Sequence, residues 1–380
     1  MVETSSVHSL AIIGGGQLGR MLALAAIPLG IKVHALDPDP QCPAAAVANI
    51  TTARLDDCDA LRAVVTSNNV TTVEIEEVGV ATLAELEAEG HCVYPSPRAL
   101  ATIRDKGIQK RFLQEKHIPV APEVPGLGPW KRTVVQKLRT GGYDGRGVAV
   151  LAPGEDLHFQ EPSIFEEAID IAHELAVMVC RFPDGSVVSW DPVAMHFDPQ
   201  LHLVSHVLSP ALGAYPELTA DIITQAREIA SAVASAFGEV GLVGLLAVEL
   251  FLTASGSILV NEVAPRPHNS GHVTIETSRC NQFQQHIRAV CSLPPGDTTN
   301  HSPGVMRNIV APPEARRGPT EILNLDRALQ VPGVSVHLYG KAVQRPGRKM
   351  GHISAIAPTL AEARQRVDKA WNEIQFREER

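Results

Sequence analysis

Residues 9–36 read SLAIIGGGQLGRMLALAAIPLGIKVHAL, and the order of residue types in this stretch sets the fold class. Ser9–Ile13 is a short apolar run and three glycines follow it. Gln17–Ala26 is rich in Leu and Ala, and Ile31–Leu36 is a second apolar run that closes on Asp37-Pro38. Short apolar runs bounded by turn residues predict strands, and the Leu/Ala stretch between them predicts a helix. The alternation continues outward, with Ala60–Val65 reading as a helix and Val70–Ile75 as a strand. Repeated strand–helix–strand units predict a parallel α/β sheet.

Tyr94-Pro95-Ser96-Pro97 interrupts the alternation. Ser96 is a good helix N-cap and Pro97 suits the first helical position, so a second unit begins here. From about residue 130 to 275 the chain turns to paired apolar runs around glycine turns. These are Val134–Leu138 with Val148–Leu151, Leu175–Arg181 with Ser186–Ala194 about Pro183-Asp184-Gly185, and Leu245–Leu252 with Ser257–Glu262 about Ser255-Gly256. Thr219–Phe237 carries apolar residues at helical spacing. The tail, from about 285, holds short strands and a final helix. That helix opens on a capping box, Thr359-x-x-Glu362, and sets Ala363, Val367, Ala370 or Trp371, and Ile374 on its apolar side. No internal repeat or low-complexity tract interrupts the order.

A chain of 380 residues predicts two or three domains, and 44% apolar with 20% charged residues is an ordinary globular balance. Aromatic residues make up only 4%, which argues against carbohydrate clefts and single-strand nucleic-acid platforms built on stacked rings. Lys and Arg number 33 against 42 Asp and Glu, a net charge of −9. Neither nucleic acid nor a membrane is therefore an expected partner, and any anion site must be a local cluster. The six cysteines (Cys42, Cys58, Cys92, Cys180, Cys280, Cys291) contain no C-x-x-C pair and read as reduced thiols rather than disulfides or a zinc site. No apolar run approaches the roughly 20 residues that span a bilayer. No basic segment precedes the first apolar run, so a signal peptide is not expected and the location expected is cytoplasmic.

Four constellations carry chemistry. Gly14-Gly15-Gly16-Gln17-Leu18-Gly19 is a formal G-x-G-x-x-G between strand and helix, and Asp37 ends the next strand near the place of a ribose-binding acid. A dinucleotide enzyme is one reading, but a glycine turn at a helix N-terminus can receive any anion or substrate. Thr140-Gly141-Gly142-Tyr143-Asp144-Gly145-Arg146-Gly147, preceded by Lys137, lies between strand-like flanks and predicts a mobile hairpin tip. Its glycines suit a backbone that closes over phosphates, with Lys137 and Arg146 as cations; an ordinary hairpin turn needs far less.

Third, if Ser255 and Gly256 form a two-residue turn, residues whose numbers sum to 511 face each other, and Glu249 and Glu262 do so. Two opposed carboxylates in apolar runs repel and are costly to desolvate, and a divalent cation between them removes the problem. Hard oxygen ligands suit Mg²⁺ carried on nucleotide phosphates, with Asn261 as a neutral oxygen beside them. A bulge that turns one Glu to solvent is the competing reading. Fourth, Arg266-Pro267-His268-Asn269-Ser270-Gly271-His272 follows the carboxylate strand, and Lys341 with Arg345-Pro346-Gly347-Arg348-Lys349 and His352 lies in the tail. These local cations fit phosphate or carboxylate groups, although the tail cluster could be a solvated loop. His8, His34, His91, His117 and His158 are isolated and read as surface or core filler, and Cys180 as a small buried hydrophobe.

Taken together, GGGQLGRM (14–21), TVEIEEV (72–78), KLRTGGYDGRG (137–147), NEVAPRPHNSGH (261–272), QFQQHIRAV (282–290) and RPGRKMGH (345–352) resemble the N5-carboxyaminoimidazole ribonucleotide synthetase family of ATP-grasp ligases. The resemblance runs in the family's order from residue 9 to about 355. It implies an α/β and α+β fold: an N-terminal parallel α/β (pre-ATP-grasp) domain over 1–95, an ATP-grasp domain over 96–285, and a small C-terminal β-rich domain with a terminal helix over 286–380. The implied reaction uses ATP and bicarbonate, with Mg²⁺ as cofactor, to make carboxyphosphate and then carboxylate 5-aminoimidazole ribonucleotide. A homodimer and coupling to the downstream mutase of purine synthesis are also implied.

Carried over residue by residue, Lys106 and Lys137 would serve ATP, the former where relatives often have Arg. Glu166, Glu167, Ala168 and Ile169 would hold adenine, Glu174 the ribose hydroxyls, and the loop Gly142, Tyr143, Asp144, Gly145, Arg146 and Gly147 the phosphates. His196 and Asn261 would lie near the nucleotide, and Glu249 and Glu262 would bind Mg²⁺. Gln17, Leu18, Glu76 or Glu74, Tyr143, Arg146, Lys341, Arg348 and Lys349 would surround the ribonucleotide. Arg266, His268 and Asn269 would surround bicarbonate and carboxyphosphate. Met306-Arg307-Asn308-Ile309-Val310-Ala311 departs from a more apolar family string that usually ends in Gly, and Ala176 stands where Ser is common. A nicotinamide dehydrogenase, another ATP-grasp ligase and a non-catalytic nucleotide-binding protein are the rival classes.

Overall fold

The computed structural model describes residues 7–126, 128, 130–142, 147–197 and 203–377. Among them, β1 (Ser9–Ile13), β2 (Lys32–Asp37), β3 (Asn49–Thr52), β4 (Val70–Val73) and β5 (Val93–Tyr94) form a parallel sheet in the order β3-β2-β1-β4-β5. Helices α1 (Gln17–Ala26), α2 (Cys58–Thr66) and α3 (Val80–Ala88) cover it. β1 is apolar throughout because both of its faces are buried. Leu10 and Ile12 pack with Leu18 and Leu22 of α1, while Ala11 and Ile13 pack with Leu61 of α2 and Leu83 of α3.

Ser96 accepts a hydrogen bond from Arg98 N, and Pro97 opens α4 (Pro97–Arg104), as the sequence predicts. Asp105 then caps α5 (Lys106–Glu115). β6 (Val134–Leu138), β7 (Val148–Leu151) and β8 (Ser163–Glu167) make a three-stranded lobe around Val124, Val134 and Phe165.

The main sheet contains β9 (Ile171–Arg181), β10 (Val187–Ser189), β11 (Val193–Phe197), β12 (Val204–Ser209), β13 (Gly244–Thr253) and β14 (Ile258–Ala264). Helix α6 (Ala220–Gly238) precedes β13, and α7 (Thr274–Thr277) and α8 (Gln282–Val290) follow β14. The tail adds β15 (Gly304–Val310), the short β16 (Gly318–Pro319) and β17 (Ile322–Leu323), α9 (Leu325–Leu329), β18 (Val334–Leu338), β19 (Val343–Gln344), β20 (Lys349–Ile356), α10 (Leu360–Glu373) and β21 (Gln375–Phe376). The order is β14-β13-β9-β11-β12-β15-β20-β18, with β10 paired to β9, so tail strands extend the sheet of the central segment. β9 shows why two cores form. Leu175, Val177 and Val179 join the cluster under α6 and α10, and Ala176, Met178 and Cys180 join the opposite one. α8 ties the halves together, because Phe283 and Ile287 pack against α1 and β1.

Three local expectations change. The run Ser186–Ala194 is two strands, since Val179 faces Ser189 whereas Ala176 faces Val193, leaving one extra residue around Trp190-Asp191-Pro192, where Pro192 has no N–H to give. At α10, Thr359 accepts from Glu362 N, but the Glu362 carboxylate pairs with Arg366 instead of returning to the cap. The complete capping box lies at α8, between Asn281 and Gln284. The third concerns the turn between β13 and β14.

Candidate active site

The turn that joins β13 to β14 holds three residues, Ala254-Ser255-Gly256, not two: Thr253 N bonds to Ser257 O, and Leu252 faces Ile258. That offset alone would separate the two carboxylates. A bulge between Glu249 and Leu250, with Asn261 as the extra residue, shifts the register back, and Glu249 faces Glu262. Two departures of one residue cancel, so the facing pair expected from the sequence stands, although the turn does not.

Lys106, at the first position of α5, donates to Glu262 Oε2, and His268 Nδ1 lies 3.6 Å from Glu249 Oε1. Burial pushes the Glu249 carboxyl well above the usual carboxylate range, and the charges of Glu262 and Glu174 push it further. Burial acts on Glu262 in the same sense, but Lys106 outweighs it and holds Glu262 low. One facing carboxyl is therefore reluctant to ionise and the other is committed to its charge. Two like charges facing each other at short range push their pKa values apart in this way.

Next to this pair lies a buried lysine–glutamate knot. Lys137 of β6 donates to Asn261 Oδ1 at 2.8 Å and pairs with Glu166 Oε2 at 2.7 Å, and Lys110 of α5 donates to Glu166 Oε1. Burial opposes the Glu166 charge, yet Lys137 and Lys110 together hold its carboxyl below the usual range. Glu174 faces Phe251 of β13 and Met195 of β11; burial raises it to about 7, against the pull of Lys137. Glu167 ends β8 and pairs with Arg132, and Ala168 and Ile169 lead from there into β9. Gly142 and Gly147 close the β6–β7 hairpin, where a Cβ on Gly147 would come within 2.7 Å of Gly142 Cα. Tyr143, Asp144, Gly145 and Arg146 lie outside the described residues.

The N-terminal glycine turn has its amides taken from within. Gly16 N and Gly19 N donate to Glu74 at 2.5 and 2.6 Å, and Gly15 N donates to Asp37 at 2.8 Å. A Cβ at Gly14 or Gly16 would strike the Glu74 side chain at 2.3 or 2.5 Å, which explains glycine at both positions. The pyrophosphate of a dinucleotide would find the glycine amides of this turn already bonded within the protein, which counts against that reading. Leu18 is buried in the core against α8, which leaves Gln17 as the more open side chain of the turn. Glu74 thus holds the turn together, its carboxyl pushed above the usual range by burial against the pull of the two amides. Glu76, two residues on, pairs with Arg266 of the string after β14 at 3.0 Å.

The tail closes the cleft. The charge of Lys349 reaches Glu249, Lys341 Nζ donates to Lys349 O at 2.8 Å, and Arg348 donates to Val343 O. Arg20 of α1 lies against Gly340, so the Lys341 loop meets the end of the glycine turn. His196 is not brought here. It faces His206, whose ring bonds to Asp368 of α10, and partners across an antiparallel pair point to one face. That face carries α6 and α10, opposite the one that carries Glu174 and Glu249.

Residues that sequence reasoning missed are supports. Lys110 follows Lys106 at a spacing of four on α5, a signal of a shared face. Arg139 pairs with Asp105 at 2.8 Å and fixes the start of α5 to the end of β6. Gln282 holds His268 O and His272 Nδ1 together, and no short-range pattern announces it. Among the described residues no group of three or more His, Cys, Asp and Glu could hold a metal, so a cation between Glu249 and Glu262 needs further oxygens, such as phosphates, from a ligand.

Residues 7–104 match the ribonucleotide synthetase preATP-grasp domain, 129–283 the ATP-grasp domain and 304–366 the phosphoribosylaminoimidazole carboxylase C-terminal domain. The N5-carboxyaminoimidazole ribonucleotide synthase of Mycobacterium tuberculosis is 37% identical, over 95% of this chain and 86% of that protein. The crystal structure of the Thermotoga maritima synthetase matches with a TM-score of 0.87 and 38% identity, covering 98% of this chain and 100% of the other. An Aspergillus clavatus synthase in complex with ADP and 5-aminoimidazole ribonucleotide matches with a TM-score of 0.83 and 30% identity over 97% of this chain and 99% of its own. With its carboxylate pair, lysine knot and tail cations set in this order on this fold, the chain belongs to the N5-carboxyaminoimidazole ribonucleotide synthase family of ATP-grasp ligases.

Proposed function

We propose that this chain carboxylates the N5 amine of 5-aminoimidazole ribonucleotide with bicarbonate at the cost of ATP, through carboxyphosphate. The observation that carries the reading is the facing Glu249–Glu262 pair, partly buried beside Lys106 and Lys137 and joined through His268 to the Arg266 string. A bicarbonate oxygen attacks the γ-phosphorus and the bond to ADP breaks. The amine then attacks the carboxyl carbon, the C–O bond to phosphate breaks, and the amine gives up a proton.

Each group has a physical task in this reading. Lys106 and Lys137, with the hairpin Gly142–Gly147, offset phosphate charge, and Glu166, Glu167, Ala168 and Ile169 meet the adenine. Glu174, poised near neutrality, meets the ribose. Glu249 and Glu262 supply hard oxygens for Mg²⁺, which when bound offsets charge on the β- and γ-phosphates. Arg266, His268 and Asn269 surround bicarbonate and carboxyphosphate, an anion that hydrolyses readily and so requires fixed cations and exclusion of water. Lys341, Arg348 and Lys349 hold the ribonucleotide phosphate, and Gln17, the Leu18 backbone and Glu76 border its base; Tyr143 and Arg146 are assigned to the same ligand. His196 has no role here, because it sits on the other face.

The reading divides the chain at 1–95, 96–285 and 286–380. It includes a homodimer, testable by sedimentation, and a cytoplasmic location, which six free thiols suit. It also includes handing the carbamate product, which readily loses CO₂, to a mutase. No helix among the described residues is long and apolar enough to cross a membrane. The deciding experiment is ADP formation by the purified chain, expected only with bicarbonate and ribonucleotide both present. ADP formation indifferent to bicarbonate would move the chain to another ATP-grasp ligase, and stabilisation by NADH but not Mg-ATP would overturn the class.

A further inference from the structure

Asn269 opens a short 3₁₀ turn, Asn269–Gly271, directly after the His268 cap. Its side chain forms a reciprocal amide pair with Asn308 of β15: Asn269 Nδ2 donates to Asn308 Oδ1 at 2.9 Å, and Asn308 Nδ2 donates to Asn269 Oδ1 at 2.9 Å. Asn308 is 3% exposed, and its second N–H goes to Val204 O at 2.8 Å. That third bond fixes the orientation of both amides. Turning Asn308 over would set its oxygen against the Val204 carbonyl, and Asn269 must then present nitrogen to Asn308 Oδ1. One N–H of Asn269 remains uncommitted among the described residues. The strand behind the pair is itself clamped, since Trp371 Nε1 of α10 donates to Asn308 O at 3.2 Å, and Arg307 stacks on the Trp371 ring at 3.7 Å.

We infer that Asn308 is a positioning residue of the carboxylation site: the tail strand β15 sets which way the Asn269 amide faces, and so aims a fixed N–H donor at the carboxyphosphate. This rests on the reading that places Asn269 around bicarbonate and carboxyphosphate. A preoriented donor matters most where negative charge develops, and a misaimed one loses much of its effect. Nothing in the sequence links positions 269 and 308, which lie on separate segments and meet only because β15 continues the main sheet.

The test is a cycle of Asn269→Ala, Asn308→Ala and the double variant, with Asn308→Leu as a near-isosteric second substitution that keeps the strand filled. The expected result is a fall in kcat for bicarbonate-dependent ADP formation of about tenfold to a hundredfold in each single variant. The KM for ATP should stay within about twofold, and the KM for bicarbonate should rise. The double variant should be no slower than Asn269→Ala, because Asn308 acts only through Asn269. A folded Asn308→Leu with parental kcat overturns the inference, as does a double variant whose losses multiply. A silent Asn269→Ala beside a slow Asn308→Leu also overturns it, since Asn308 would then act elsewhere. A parent chain without bicarbonate-dependent turnover removes the underlying reading, and the inference with it, and that failure shows before any variant is made.

Discussion

Replacing Glu249 with Gln should make the protein slower and, above neutral pH, more stable. The carboxyl is 14% exposed, faces Glu262, and is pushed up by burial first, then by the charges of Glu262 and Glu174. A carboxyl whose folded pKa is raised contributes stability that is complete below its ordinary value of 4.5 and is lost as pH rises through the raised value. Each pKa unit corresponds to about 1.4 kcal/mol, so a shift of a few units in so buried a group is of order 2–4 kcal/mol. Gln keeps the shape and has no charge to lose, so Glu249→Gln escapes this penalty. At about 2 °C per kcal/mol for a chain of this size, its Tm at pH 8 should exceed the parent's by roughly 4–8 °C. The gap should close as pH approaches 4.5. Turnover should fall by about a hundredfold or more, because one of the two carboxylates offered to the cation is replaced by a neutral amide oxygen. The assay is a thermal melt at several pH values without nucleotide, with ADP formation measured at limiting Mg²⁺. A Glu249→Gln protein less stable than the parent at pH 8, or different from it by the same amount at every pH, refutes the electrostatic account. Normal turnover at limiting Mg²⁺ refutes the metal role.

Three further substitutions probe separate supports. Lys110→Met leaves Glu166 buried with Lys137 alone and should cost about 2–3 kcal/mol in urea unfolding while raising the KM for ATP; an unchanged midpoint would mean the knot is carried by Lys137. Gly19→Ala sets a Cβ 2.5 Å from the Gly14 carbonyl oxygen, which is backbone and cannot yield, so a loss of about 1–3 kcal/mol in thermal or urea unfolding is expected. Lys349→Ala should raise the KM for ribonucleotide about tenfold or more with the KM for ATP unchanged, the signature of a lost phosphate contact, and equal shifts in both would count against that role.

The N-terminal half of the fold was open to reading because its signals are local. β1 is apolar on both faces, α1 begins where the glycines end, and Ser96-Pro97 caps α4. The joining of the tail to the central sheet was not, since β12 and β15 pair Ser209 with Gly304 across almost a hundred residues and no periodicity records such a partner. The site divides in the same way. Glu249 and Glu262 could be matched by counting, yet the count succeeded because a bulge at Asn261, weighed in the sequence only as a way to part the two, offset an unforeseen turn residue. The glycine turn was visible, but its occupant was not: Glu74 reaches it from β4's end, and only the fold brings the two together. His196 shows the opposite failure. A position carried over from a motif lands one pleat away, and in a strand one residue changes the face.

The charges of the cleft are arranged as exchangeable pairs. Lys106 holds Glu262, Lys137 and Lys110 share Glu166, and Arg266 holds Glu76. A cleft built to bind a polyanion with lysines alone would repel itself when empty, and one built to bind a cation with carboxylates alone would do the same. Interleaving the two sets lets each neutralise the other before the nucleotide arrives. On the proposed reading, Lys106 then leaves Glu262 for a phosphate oxygen, and Glu262 is released to serve the cation that travels with that phosphate. The number of charge pairs is conserved through the exchange, so binding need not pay the full desolvation cost of either set. The asymmetry within the carboxylate pair follows from the same arrangement: a lysine at hand holds the Glu262 carboxyl low, and Glu249, without one bonded to it, is pushed up by burial and by its neighbour's charge. Exchange of this kind predicts that nucleotide and divalent cation bind with strong mutual dependence, because neither alone restores the partner that the other displaces.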